Sequence, residues 1–206
     1  MKQQLKTMLE LQDSMNSKVN AEWRTQGFEW YRAIWVECAE LLDHHGWKWW
    51  KKQQPDVEQV ILELIDIWHF GLSVMLQSGL STDDIITKVE SELVIATDEA
   101  DFRLDLEAFA GQVLLTKGFD VAAFGRLMAG MQLTFDQLHC GYVGKNVLNF
   151  FRQNNGYKDG SYVKVWGGKE DNEHLVDAVR QLDASSSNFS DDVYAALESR
   201  YKELTG

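Results

Sequence analysis

Pro55 is the single proline in a chain of 206 residues. Proline is the residue that most strongly ends helices and leaves sheet ladders, so a chain this poor in it is free to run in long helices. Apolar residues recur at helical spacing through most of the sequence, and strand-like alternation is almost absent. The fold class expected is all-α. The spacing predicts helices over residues 2–20, 28–43, 56–77 and from Thr82 to about Ala100. Two more are expected near 103–117 and 119–138, separated by Gly118. A short helix should end at about Phe151 and give way to an ordered, glycine-rich basic loop. Residues 170–183 and 190–203 read as the last two helices, with 185–187 as a turn. Gly46 and Gly79 stand where C-terminal glycines end helices, and Ser81 is placed as an N-cap before Asp83 and Asp84. Pro55 is read as lying in the first turn of its helix.

Composition narrows the class further. A hydrophobic fraction of 45% and a charged fraction of 25% suit one folded domain, 1–206, in which 81–138 is either a helical subdomain or a dimer surface. The 32 acidic residues against 20 basic ones give a net charge of -12. Non-specific binding to nucleic acid or to an anionic membrane is disfavoured. No stretch approaches ~18 uninterrupted apolar residues, so no membrane span is expected. Cys38 and Cys140 fall in no metal-binding spacing and read as reduced thiols. With no leader-like run at the N-terminus, a cytoplasmic location is expected.

The sharpest local feature is a pair of acidic motifs, Glu37-Cys38-Ala39-Glu40 and Glu63-Leu64-Ile65-Asp66. Each sets two carboxylates at i and i+3, on one face of a helix. Both pairs are embedded in apolar residues, such as Ile34, Trp35 and Leu41 around the first and Val60, Leu64 and Ile67 around the second. Four like charges brought together in apolar surroundings require cations. Oxygen ligands select hard cations, and Mg²⁺ suits a site that keeps waters for a phosphate substrate. The plainer alternative is two ordinary acidic pairs on solvated faces.

A second constellation is basic. From Lys145 through Lys169 there are five basic residues and one acid. Lys145, Asn149 and Arg152 share one helical face, a set suited to an anion and a hydrogen-bonding base. The alternative is a surface patch paired with acidic neighbours. Gln12 and Asn16, at i and i+4, offer the donors and acceptors that a pyrimidine edge needs; taken alone, they read more simply as polar residues of a solvated face. Trp47, Trp49 and Trp50 suit either stacking on a base or ribose or plugging a helix junction, with at least one expected in the core. His69 reads first as a core histidine, kept in play by its place one turn after Asp66.

Together these residues resemble the dimeric all-α dUTPases. The resemblance rests on Glu37-x-x-Glu40, Trp47-Lys48-Trp49-Trp50-Lys51 and Glu63-x-x-Asp66-x-x-His69-Phe70. It rests also on Lys145-Asn146-x-Leu148-Asn149-x-Phe151-Arg152-Gln153-x-x-Gly156-Tyr157, and on Gln12-Asp13-x-x-Asn16. The paired acidic motifs are shared by the wider all-α nucleoside triphosphate pyrophosphatases; the Lys145–Tyr157 stretch is more specific. The resemblance implies a helical-bundle core of that type with an additional helical subdomain and a glycine-rich basic loop. It implies a homodimer that hydrolyses dUTP, and dUDP as well, with Mg²⁺ in one, two or more sites. Carried over by position, Glu37, Glu40, Glu63 and Asp66 hold the metal, and Glu37 or Glu40 orients the metal-activated water. Gln12, Asn16 and Asn149 read uracil. Phe70 stacks on base or sugar, and Trp49 and His69 line the deoxyribose. Lys145, Arg152, Tyr157, Lys164 and Asn172 hold phosphate oxygens.

Other readings stay open. Cytosine swaps donor and acceptor at two edge positions, and an amide can turn over to match either base, so Gln12, Asn16 and Asn149 do not separate dUTP from dCTP or another deoxynucleotide. A nucleotide-sensing regulator without catalysis is the rival from another class.

Overall fold

The structure, a computed structural model, describes residues 1–95, 101–184, 186 and 188–205. Among these residues the helices are α1 (Lys2–Val19), α2 (Trp30–His45), α3 (Val57–Gln77), α4 (Thr82–Glu92), α5 (Phe102–Thr116), α6 (Val121–Gly130), α7 (Phe135–Asn154), α8 (Asp171–Val179) and α9 (Phe189–Thr205). The fold is all-α. One two-residue hairpin, β1 (Val165–Trp166) with β2 (Lys169–Glu170), interrupts it. Its turn is Gly167-Gly168, both at positive φ, a backbone that glycine adopts at no steric cost. The chain divides into two compact units, Met1–His139 and Cys140–Gly206.

Most helix starts follow side-chain capping. Asp56, Ser81, Asp101 and Asp120 each accept a backbone N–H from the first turn. Pro55 therefore precedes the cap of α3 rather than lying in its first turn. The expected helix to Ala100 stops at Glu92, where Leu93 takes the cap; residues 96–100 lie outside the described residues, as do 185 and 187 of the expected turn. The segment expected at 119–138 is two helices, because the chain turns between Gly130 and Thr134, with Gln132 at a φ of 53°. What was expected as a short helix ending at Phe151 is the far end of α7, which runs on to Asn154.

The core of the first unit is built around α3. Its residues Val60, Leu64, Ile67, Trp68 and Leu72 are fully buried, each side chain of this size being worth ~1.5–3 kcal/mol on burial. Trp68 stacks on Phe124 and meets Phe119 edge-on, so residues of the 81–138 segment share one core with α3. Gly71 permits this closeness: a Cβ there would stand 2.5 Å from the Phe119 ring. Helix α3 is the one described helix long and apolar enough to cross a membrane, yet most of it is buried within the unit, as in a core helix. In the second unit Phe151, Trp166 and Tyr201 gather with Tyr162 and Tyr194 into an aromatic core, which anchors the glycine-rich loop through Tyr162 and Trp166.

Candidate active site

Helices α2 and α3 pack along each other and bring the two acidic motifs together. Ligand oxygens of Glu37, Glu63 and Asp66 all lie within 4.8 Å of one another. Glu63 is buried, while Glu37 and Asp66 are half-buried. The cost of this crowding falls on Glu37. Burial first, then a hydrogen bond with Glu63 and the charges of Asp66, Glu63 and Glu40, push its carboxyl up to about 9. Without a cation the hydrogen-bonded Glu37–Glu63 pair is therefore pushed toward sharing a proton. A divalent ion is the group that fits: hard oxygen donors converge on one point and carry more negative charge than the surroundings tolerate. Glu40, on the exposed side of α2 one turn further on, is not among the three that converge. The surroundings of the first motif are also less buried than its apolar sequence suggests, since Trp35 is 49% and Val36 46% exposed. His44, which the sequence reading passed over, places Nε2 3.7 Å from Glu63 Oε1.

The same helix carries a polar network two turns on. Gln12 and Asn16 are buried, at 4% and 6% exposure, so the solvated-face reading of this pair is wrong. They lie on the buried face of α1, where hydrogen bonds replace water. Gln12 Oε1 meets His69 Nδ1 at 2.9 Å. A carbonyl oxygen only accepts, so Nδ1 carries the proton. Gln12 Nε2 donates to Asn16 Oδ1 (3.1 Å) and to Ser73 Oγ (3.0 Å). Asn16 Nδ2 donates to the same Ser73 Oγ (2.9 Å). Ser73, fully buried, was missed because a serine in an apolar helix has no spacing signal of its own. Phe70 stacks on Trp30, with centroids 6.2 Å apart. Trp30 was not singled out in the sequence.

The tryptophan loop behaves differently from the expectation of a plugged junction. Trp47, Trp49 and Trp50 are all exposed, Trp49 at 88%. They pack edge-on against one another instead of entering the core, and Trp47 Nε1 and Lys48 Nζ are tied to Asp43.

In the second unit, α7 sets Lys145, Asn149 and Arg152 on one face. Arg152 makes a two-pronged pair with Asp171, from Nε to Oδ2 and from Nη2 to Oδ1, both at 2.8 Å. Its Nη1 donates to Asn149 Oδ1 (3.2 Å). Lys145 Nζ and Arg152 Nη2 both reach Asn172 Oδ1, at 3.0 and 3.5 Å. Tyr162 donates to Asp171 Oδ2 at 2.8 Å. Burial raises the Asp171 carboxyl, but the Arg152 and Tyr162 bonds and the Arg152 and Lys145 charges outweigh it and hold the group below the usual carboxylate range. Asp171 and Tyr162 were absent from the sequence reading; an acid three-dimensionally opposite an arginine leaves no local pattern. Tyr157 is half exposed, with the Arg152 guanidinium 5.9 Å from its ring centre. Lys164 forms an exposed pair with Glu170.

Three acids of α2 and α3 that could hold a cation thus share the first unit with a buried polar network between α1 and α3. Residues 4–157 match the family described as dUTPase, and the chain belongs to that all-α dUTPase family. Its activity is that of a dUTP diphosphatase, a hydrolase acting on a small nucleotide, in a family that generally depends on divalent metal. The match takes in Lys145, Asn149, Arg152 and Tyr157, while Lys164 and Asn172 lie beyond it. No curated protein matches the chain.

Proposed function

We propose that the protein is a Mg²⁺-dependent enzyme that hydrolyses dUTP to dUMP and pyrophosphate, and dUDP to dUMP and phosphate. The observation that carries this reading is the layout of α3. Glu63 and Asp66 stand at one end of a rigid segment, with His69, Phe70 and Ser73 following on. Ten residues at 1.5 Å each separate Glu63 from Ser73, about 15 Å, a span that suits a nucleotide with phosphates at the acids and base at the amides. Glu37, Glu63 and Asp66 would hold Mg²⁺, with Glu40 as an outlying fourth acid. When bound, the ion neutralises phosphate charge and lowers the pKa of the attacking water.

The residues of this chain do the remainder. Glu37 or Glu40 would orient the attacking water. Gln12 and Asn16 read uracil, Phe70 packs on base or sugar, and His69 and Trp49 line the deoxyribose. In the second unit, Asn149 is proposed as a further base contact. Lys145, Arg152, Tyr157, Lys164 and Asn172 are the proposed phosphate ligands; positioning and charge neutralisation are most of what phosphoryl transfer asks of a protein. The resemblance and the exposed Trp35–Val36 face support a homodimer, and the acidic composition supports an enzyme without nucleic-acid partners; the reading of Cys38 and Cys140 as reduced thiols favours a cytoplasmic location.

Pyrophosphate release from dUTP, dCTP, dTTP and dATP, with Mg²⁺ or with EDTA, tests the reading. Mg²⁺-dependent turnover that favours dUTP and vanishes in Glu63→Gln supports it. Preferred turnover of dCTP moves the error to base recognition, and no turnover of any nucleotide overturns the proposal in favour of a nucleotide-sensing regulator.

A further inference from the structure

Resting on the reading of Gln12 and Asn16 as the uracil contacts, we propose that Ser73 is a positioning residue that locks both amides in one orientation and so selects uracil over cytosine.

The argument is one of proton count. Ser73 Oγ has three partners: Gln12 Nε2 at 3.0 Å, Asn16 Nδ2 at 2.9 Å and the backbone carbonyl of His69 at 3.2 Å. A hydroxyl has one proton, and the carbonyl can only accept. The proton of Ser73 therefore goes to the His69 carbonyl, and both amide atoms facing Oγ are NH₂ groups. The rest of the network agrees. Asn16 Oδ1 accepts from Gln12 Nε2, and Gln12 Oε1 lies 2.9 Å from His69 Nδ1, which bonds it as the Nδ1–H tautomer. Turning Asn16 over would set its NH₂ against the NH₂ of Gln12, and its oxygen against a hydroxyl already donating elsewhere. Turning Gln12 over would set its oxygen against Asn16 Oδ1. Each alternative leaves buried polar atoms facing their own kind, at a desolvation cost that buried groups do not recover.

A locked amide is a reading head with one polarity. After these bonds Asn16 retains a second N–H and further acceptor capacity on Oδ1. Uracil offers N3–H beside a carbonyl oxygen, which pairs with that acceptor and that donor. Cytosine offers a bare N3 beside an amino group, which meets the same two atoms acceptor to acceptor and donor to donor. A freely turning amide accepts both bases; the serine removes that freedom.

The test compares kcat/KM for dUTP and dCTP in the full-length protein, the Ser73→Ala and Ser73→Cys variants, and the controls Gln12→Ala and Asn16→Ala, with a thermal melt of each. The expected result is a dUTP-to-dCTP ratio that falls about tenfold or more in Ser73→Ala, because a site built to hydrogen-bond loses its discrimination when the bonding frame turns over. A merely structural loss lowers both rates alike and leaves the ratio where it was. An unchanged ratio in folded Ser73→Ala overturns the proposal. Ser73→Cys, close in size and a weaker bonding group, decides the matter in the same way if the alanine variant does not fold. If Asn16→Ala also leaves the ratio unchanged, the uracil reading itself fails; if Asn16→Ala shifts it and Ser73→Ala does not, the assignment of Ser73 alone fails.

Discussion

The acidic cluster of the first unit and the basic cluster of the second are opposites in how they handle charge. At Glu37, Glu63 and Asp66, like charges converge and the Glu37–Glu63 pair is pushed toward sharing a proton. At Arg152 and Asp171, opposite charges meet in a two-pronged pair, with Tyr162, Asn149 and Lys145 completing the surroundings. The first arrangement concentrates negative charge that a bound cation would relieve. The second pairs its charges within the chain, with Lys145 donating to Asn172. Substitutions at the first should strike activity; in the second, loss of Asp171, which pairs with Arg152, should strike stability, while loss of the proposed ligands Lys145 or Arg152 should strike activity as well.

The largest effect is expected from Glu63→Gln. It removes a buried carboxylate from the acidic cluster, and dUTP hydrolysis should fall at least about 10²–10³-fold, the range seen when a preorganised electrostatic group is lost, without a lower melting temperature in EDTA. Pyrophosphate release and a melt on the same sample check both halves. A variant that keeps its activity breaks the comparison at its first term.

Asp171→Ala should act the other way. It leaves the partly buried Arg152 guanidinium beside Lys145 without its carboxylate, a loss of up to about 3–5 kcal/mol that urea unfolding reads directly. Asp171→Asn should cost less, since it keeps hydrogen-bonding atoms in place.

The two clusters should also respond to pH with opposite sign. Glu37 is raised from 4.5 to about 9, so between those values the folded, metal-free protein binds more protons than the unfolded chain. Its stability should fall as pH rises through that window. Added Mg²⁺ should flatten the slope, and Glu37→Gln should remove most of it. Asp171 is lowered from 3.8, so its contribution is present above that value and is lost as the medium is acidified below it. Melting temperatures in EDTA from pH 4.5 to 9 test the first statement, and a slope of the opposite sign sinks the account of Glu37.

The smallest change is expected from Trp49→Ala. With 88% of the residue exposed, its effect on stability should stay within about 0.5 kcal/mol, while KM for dUTP rises a few-fold if the indole lines the sugar. An unchanged KM removes Trp49 from the site and leaves the comparison sharper, with recognition resting on the buried network alone.

How much of this could be read from residues in order depends on the range of the interaction. Helical periodicity is local, so α1, α3 and α9 lie close to their expected limits. The i, i+3 acids are local too, and their apolar neighbours marked Glu63 as a buried acid. Glu40 has the same neighbours in sequence but faces outward, because its exposure depends on which side of α2 meets α3. The burial of Gln12 and Asn16 depends on a partner some 57–61 residues away, Ser73. Asp171 reaches Arg152 over 19 positions.

By itself, then, the sequence determined the all-α class, the acidic motifs and the family resemblance, because these are properties of spacing along one helix and of short motifs. Only the tertiary structure decided which three acids converge, which amides lose water, and which serine holds them. Those outcomes depend on burial and on counting donors against acceptors among side chains far apart in the chain, and neither quantity exists until the helices are packed.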